Sequence, residues 1–248
     1  LNGDGDEPRA AASLNPEHRM SNPPKYKALF LDFYGTVAGG DADTVEAVCA
    51  KVVAEYELPM TAADLVRTWG ERFFATIERS NHDRFRTLYE CECGSLVETM
   101  EPLRGRIDPT PYVDELTAYW CAPELQPEAR EAITSVKVPI CCVSNADTAH
   151  LHAAINRHGL DFTAVVTSED ARCYKPEPEI FRRALEVMGL APGDVLHVGD
   201  SVHSDVGGAA NAGIAAVWLC RERRIYDIGR PGENHKILSL RDLATLLE

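Results

Sequence analysis

Four short segments carry residue types that can do covalent chemistry. They are Asp32-Phe33-Tyr34-Gly35-Thr36-Val37, Ser144-Asn145, Lys175-Pro176, and Gly199-Asp200-Ser201-Val202-His203-Ser204-Asp205. Three of them directly follow apolar runs, and the lysine stands just ahead of a helical stretch. Together they supply carboxylates, hydroxyls, an amide and a lysine. Such a set suits displacement at an electrophilic centre: one carboxylate attacks, others hold a divalent cation, and the lysine offsets the crowded negative charge. Singly, each residue has a plainer use. An Asp after a strand is often a helix N-cap, Thr36 can close a turn with Gly35, and Lys175 can be a solvated loop residue. The chemical reading rests on their joint occurrence.

The elements that must position these residues alternate along the chain. Apolar runs at 27–33, 139–143, 195–198 and 214–219, with a weaker one at 162–166, read as buried strands. Between them, 148–158, 179–188 and 203–212 read as helices. This alternation predicts βαβ units and a parallel sheet buried on both faces. Right-handed crossovers then wind the sheet doubly, and its site lies at the carboxyl ends of the strands. One stretch breaks the pattern. From 38 to 123 no strand is convincing, and 43–56, 62–80, 85–100 and 111–120 read as helices. Asp43 is the expected cap of the first and Thr61 of the second, downstream of Pro59. A helical insert directly after the first strand lies over the strand ends and can act as a lid. The predicted organisation is a flexible tail at 1–24, an α/β core at 25–37 and 124–248, and a helical cap at 38–123. The tail is polar and lacks the apolar stretch of a secretory signal. Because the chain opens with Leu1, Met20 is the expected natural start.

The four segments, in this order and with a helical insertion between the first two, resemble the four motifs of the haloacid dehalogenase (HAD) superfamily. The resemblance covers nearly the whole chain from Lys25 onward. It implies a Rossmann-like core with a cap inserted after the first motif. It also implies roles: Asp32 as the nucleophile that forms a covalent intermediate, and Thr36 and Ser144 as hydroxyls binding the transferred or carboxylate group, with Asn145 beside them. Lys175 resembles the lysine that steadies the nucleophile's charge. Asp200 resembles a Mg²⁺ ligand and Asp205 the second acid, which supports the lysine or the metal shell. The implied metal set is Asp32, the main-chain carbonyl of Tyr34 and Asp200. Mg²⁺ suits it, being held through one or two carboxylates plus waters and substrate oxygens.

The chain departs from this pattern at Tyr34. Most phosphatases of the superfamily carry a second Asp there, as general acid and base, and a phenol is a poor proton shuttle near neutrality. Residues i and i+2 of an extended chain face the same way, so Tyr34 is expected to point toward the site. Tyrosine at this position resembles the 2-haloacid dehalogenases, whose halide leaves without a proton. Three features point away from that branch. Asp200 is retained in a phosphatase-like G-D-x-x-x-x-D; Phe181 stands six residues after Lys175, where dehalogenases have Tyr; and Trp69 is followed by Gly70 rather than arginine, with Arg67 and Arg72 out of register. Three readings stay open: a Mg²⁺-dependent hydrolase of a small phosphorylated or activated metabolite, a metal-free dehalogenase-type hydrolase, and a non-catalytic binding member.

Composition bounds the rest. The chain has 248 residues, 45% hydrophobic, and a formal charge of −14 from 25 Lys and Arg against 39 Asp and Glu. That excess repels phosphate backbones and anionic membranes, which disfavours nucleic-acid and membrane roles and leaves a small anionic molecule, met by a local cation, as the expected partner. Eight cysteines include no C-x-x-C, so zinc and thioredoxin-type sites are not expected. Cys141 and Cys142 read as core thiols in a reduced, cytoplasmic protein, and Cys91 with Cys93 as a minor candidate redox pair. His203 reads as a surface residue. Trp69, Phe73 and Phe74 read as cap core, although a cap aromatic can touch a substrate.

Overall fold

The computed structural model describes residues 25–39, 41–221 and 236–247, so the tail predicted at 1–24 and the start proposed at Met20 lie outside the described residues. In chain order the first half holds β1 (Ala28–Leu31), α1 (Asp41–Glu55), α2 (Ala62–Glu78), α3 (Leu88–Arg104), α4 (Thr110–Cys121) and α5 (Ala129–Ser135). Next come β2 (Ile140–Ser144), α6 (Thr148–His158), β3 (Ala164–Thr167), α7 (Ser168–Ala171) and α8 (Pro178–Met188). The chain then runs through β4 (Val195–Gly199), a π-helical turn (Val202–Gly207), α9 (Gly208–Asn211), β5 (Ala215–Leu219), β6 (Lys236–Ile237) and α10 (Leu243–Leu247).

The strands form one parallel sheet in the order β3-β2-β1-β4-β5-β6. Side chains alternate between its faces. Leu29, Leu31 and Cys142 pack with residues of α5, α6 and α10, whereas Ala28, Phe30 and Cys141 pack with α8 and α9. With both faces covered, the strands read as continuous apolar runs rather than as alternating ones. The strand order reverses between β1 and β4, and a doubly wound sheet opens its crevice at such a reversal. Asp32 leaves β1 and Asp200 leaves β4 on the two sides of that crevice.

The helices α1 to α4 lie between β1 and β2 in the chain and have a core of their own, built from Val48, Leu65, Trp69, Leu96, Met100 and Leu116. Polar contacts tie them to the sheet's loops. The carboxylate of Asp147 accepts from the Leu88 and Tyr89 amides at the start of α3, at 2.6 and 3.0 Å, and Asn81 Oδ1 accepts from the Tyr174 amide at 2.8 Å.

Several local expectations change. Thr61 caps α2 in a reciprocal box with Asp64, as expected, but Asp43 is the third residue of α1 rather than its cap. The third helix begins at Leu88, not Phe85, because Thr87 and Glu90 form a second reciprocal box, and it continues past Pro102. The helix predicted at 203–212 is a π-helical turn followed by four α-helical residues. Cys91 and Cys93 are free thiols two residues apart on one helix, so they do not face each other. Burial raises both thiols above their ordinary values, which lowers the thiolate content a redox pair needs. Among the described residues no helix is long and apolar enough to cross a membrane.

Candidate active site

The sheet's crevice holds a buried charge cluster centred on Lys175. Its Nζ donates to Asp32 Oδ1 at 2.7 Å, to Asp205 Oδ1 at 2.6 Å and to the Val143 carbonyl at 3.0 Å. All three charged residues are almost fully buried. Burial works to discharge the ammonium, but the carboxylates of Asp205 and Asp32 outweigh it and hold Lys175 above its ordinary value. Asp205 ends well below the carboxylate range, because Lys175 and a hydrogen bond with His197 overcome its burial. Asp32 is held above the ordinary range: burial is the largest influence, and the pull of Lys175 offsets it only in part. One lysine therefore faces more negative charge than it can neutralise.

The neighbours are placed by the loops after the strands. Ser144 Oγ, at the end of β2, lies 3.4 Å from Asp32 Oδ1. Asn145 clamps the lysine's main chain, accepting from the Lys175 amide at 2.8 Å and donating to its carbonyl at 3.2 Å. Thr36 is fully buried, and its hydroxyl points to Asp200 Oδ1 at 3.4 Å. Trp218 Nε1 donates to the Asp200 carbonyl at 3.0 Å. Thus Asp32, Ser144, Asn145, Lys175, Asp200 and Asp205 come together as expected, and Thr36 sits behind Asp200.

Tyr34 lines the same cavity, but its hydroxyl turns away from the carboxylates and donates to the Trp120 carbonyl at 2.7 Å. Its ring meets Trp120 edge-on at 4.8 Å. Burial, the largest influence, holds the phenol well above its ordinary value. Phe181 faces the core, edge-on to His197 at 4.9 Å, and is not near the cavity wall. Arg67 and Arg72 are exposed, Arg67 being paired with Asp64 at 2.8 Å. His203 is half-buried on the π-helical turn.

Sequence reasoning missed His197. It is fully buried in β4, with Nε2 3.0 Å from Asp205 Oδ1. An ionised carboxylate only accepts, so Nε2 carries the proton, and Nδ1 is left buried with no hydrogen-bond partner among the described residues. Asp205 thus has both oxygens engaged, Oδ1 by Lys175 and His197 and Oδ2 by the Ser201 amide at 2.9 Å. The available signal was a lone polar residue inside the apolar run Val195-Leu196-His197-Val198.

Two glycines let acids approach the main chain. Gly35 has φ of +90°, and a Cβ there would lie 2.4 Å from Asp200 Oδ2. Gly199 stands as close to Asp205, its Cβ falling 2.2 Å from Asp205 Cγ. Gly35→Ala is expected to lose about 1–3 kcal/mol of stability from the strained φ alone, and to displace Asp200 as well. Urea unfolding measures the first effect. A stability unchanged from the native protein would show that the loop relaxes without strain.

A divalent cation fits this donor set. One oxygen each from Asp32, Asp200 and Asp205 lies within 4.8 Å of the others. Asp205 is spent on Lys175, His197 and the Ser201 amide, which makes Asp32 and Asp200 the better side-chain donors. Hard carboxylate oxygens with room for water and substrate oxygens are the surroundings Mg²⁺ takes.

A parallel, doubly wound sheet whose strand ends bring a lysine and acids under an inserted helical segment defines a class of α/β hydrolase. The chain belongs to the haloacid dehalogenase-like hydrolase family, whose model matches residues 26–213. It is 26% identical to N-acylneuraminate-9-phosphatase of Mus musculus over 161 residues, 61% of this chain and 65% of that relative. The match therefore spans slightly under two thirds of the relative's length. The L-2-haloacid dehalogenase of Xanthobacter autotrophicus, solved with chloropropionic acid covalently bound, has a TM-score of 0.71 and 21% identity, covering 89% of this chain and 98% of that one. The HAD-hydrolase YfnB of Bacillus subtilis, solved bound to magnesium, has a TM-score of 0.71 and 18% identity, covering 90% and 99%. At these identities the two structures share the fold.

Proposed function

We propose that the chain is a Mg²⁺-dependent phosphatase that hydrolyses a small phosphorylated metabolite through an aspartyl intermediate on Asp32. The observation that carries this is the pairing of Asp32 Oδ1 with Lys175 at 2.7 Å and Ser144 at 3.4 Å, which orients the carboxylate and leaves Oδ2 to attack. Oδ2 forms a bond to phosphorus as the bond to the leaving oxygen breaks, and that oxygen takes up a proton from water. Water then attacks phosphorus, inorganic phosphate departs, and the Asp32 carboxylate is restored. Lys175 remains charged throughout, held by Asp205, which His197 and the Ser201 amide fix in place. Asp32, the Tyr34 carbonyl and Asp200 would hold the Mg²⁺, which when bound supplies positive charge beside the phosphoryl oxygens. The retained Asp200 and the phosphatase-named relative support this reading over a non-catalytic one.

The metal set has a direct test. Calorimetric titration with Mg²⁺, alone and with a phosphate mimic, is expected to give a binding signal that Asp200→Asn removes. Its absence in both conditions would favour the second reading, a metal-free dehalogenase-type hydrolase of a 2-substituted acid. One observation speaks for that reading: Tyr34 stands where a proton donor is wanted for phosphate esters.

A further inference from the structure

We propose, on the basis of the phosphatase reading, that the organic part of the substrate is an apolar, arene-sized group carrying no carboxylate. The site opens into a cavity of about 470 Å³, which is ample for a small metabolite beyond its phosphate. Its two ends differ sharply. Hydrogen-bonding groups gather at the strand ends around Asp32, Ser144, Lys175 and Asp200. The opposite wall is mostly carbon.

That wall is built by the periodicity of α2. Val66, Trp69, Phe73, Phe74 and Ile77 fall at i, i+3, i+7, i+8 and i+11, which is one helical face, and all five line the cavity. Trp69 spends its indole proton on Ser95 Oγ at 2.9 Å, so it offers the cavity no donor. Phe74 is half-buried and meets Phe73 edge-on at 5.7 Å. From α4, Trp120 closes the other side.

Charge on the described lining disfavours the competing substrate class, a carboxylated one. The charged residues that the described helical segment brings to the cavity are Asp43 and Glu92, both acids. Arg67 and Arg72 of α2 and Arg79 just after it are absent from the lining, with Arg67 and Arg79 paired on the outer surface to Asp64 and Glu98. Arg221 reaches the cavity from the sheet side; its Nη2 donates to the Thr36 carbonyl at 3.1 Å and to Glu128 at 2.9 Å, so Glu128 matches its charge, while its Nε has no hydrogen-bond partner among the described residues. A substrate carboxylate seated against this wall would give up its water for carbon and like charge. An aromatic ring loses nothing and gains burial.

The test compares two phosphonates that cannot be hydrolysed, so that it reads binding apart from turnover. Calorimetry is run on the full chain with Mg²⁺, using 3-phenylpropylphosphonate and its 4-carboxyphenyl counterpart. The phenyl compound is expected to bind about 30-fold more tightly, within the span by which pockets discriminate. Phe74→Ala is expected to shrink that ratio to about 3-fold. Equal affinities, or tighter binding of the carboxylated compound, would overturn the proposal. A parallel assay of acetyl phosphate and 4-nitrophenyl phosphate hydrolysis reports on the phosphatase reading itself. Hydrolysis with equal phosphonate affinities sinks only the substrate class. Discriminating affinities without hydrolysis uphold the shape of the cavity and sink the phosphatase reading.

Discussion

Asp32→Asn is expected to lower turnover by about 10⁴-fold or more, in the range that loss of a covalent nucleophile produces. The variant separates chemistry from architecture. An amide keeps the oxygen that accepts from Lys175 and Ser144, but it cannot attack phosphorus. The fold is expected to survive, and the direction of the Asp32 pKa says why. Its carboxyl is raised in the folded protein, chiefly by burial. A raised acid favours the fold at low pH, and that advantage is lost once pH climbs above the ordinary carboxylate range. At pH 7 without divalent cation the ionised Asp32 therefore weighs against the folded state, and a neutral amide removes that burden. Urea unfolding at pH 7 is expected to find the variant at least as stable as the native protein, and the difference is expected to shrink as pH is lowered toward 4. Substantial residual turnover would show that another group attacks. A large loss of stability would show that Lys175 depends on the Asp32 charge more than on Asp205.

Much of this cluster was legible in the sequence because of where its members sit. Asp32, Ser144 and Asp200 each end an apolar run, and a doubly wound sheet brings such ends together at its crevice. What the sequence concealed is how the second row is held. Asp205 reaches Lys175 because residues 202–207 wind as a π-helical turn, in which the Val206 amide donates to the Ser201 carbonyl at 3.1 Å. Apolar periodicity at this resolution does not separate an i+4 ladder from an i+5 one, so 203–212 read as ordinary helix. His197 was hidden because its partner lies eight residues away and its strand is otherwise apolar. The start of α3 was readable, since Thr87-x-x-Glu90 is a capping-box sequence. The strand β6 has two residues, too few for any periodicity to register.

Tyr34→Asp is expected to raise the rate on alkyl phosphates by about 10-fold or more, within the usual span of a positioned general acid. In the native protein the residue two after the nucleophile lines the cavity, yet its hydroxyl is committed to the Trp120 carbonyl and its phenol is held above its ordinary value. A group so placed neither gives nor takes a proton near neutrality. The leaving oxygen must then depart with little help, so kcat/KM across a series of phosphoesters is expected to fall steeply as the leaving-group pKa rises. A carboxyl at position 34 restores a titratable group next to the nucleophile, which should flatten that slope and leave aryl esters little changed. Tyr34→Phe supplies the reference. It keeps the ring against Trp120, removes the hydroxyl, and is expected to lose about 1 kcal/mol of stability with the slope unaltered. A flat slope in the native protein would mean that another group donates the proton. A loss of rate on every substrate in Tyr34→Asp would mean that the ring is needed as a wall of the cavity, bracing α4 through Trp120, and that the missing acid is not what limits turnover.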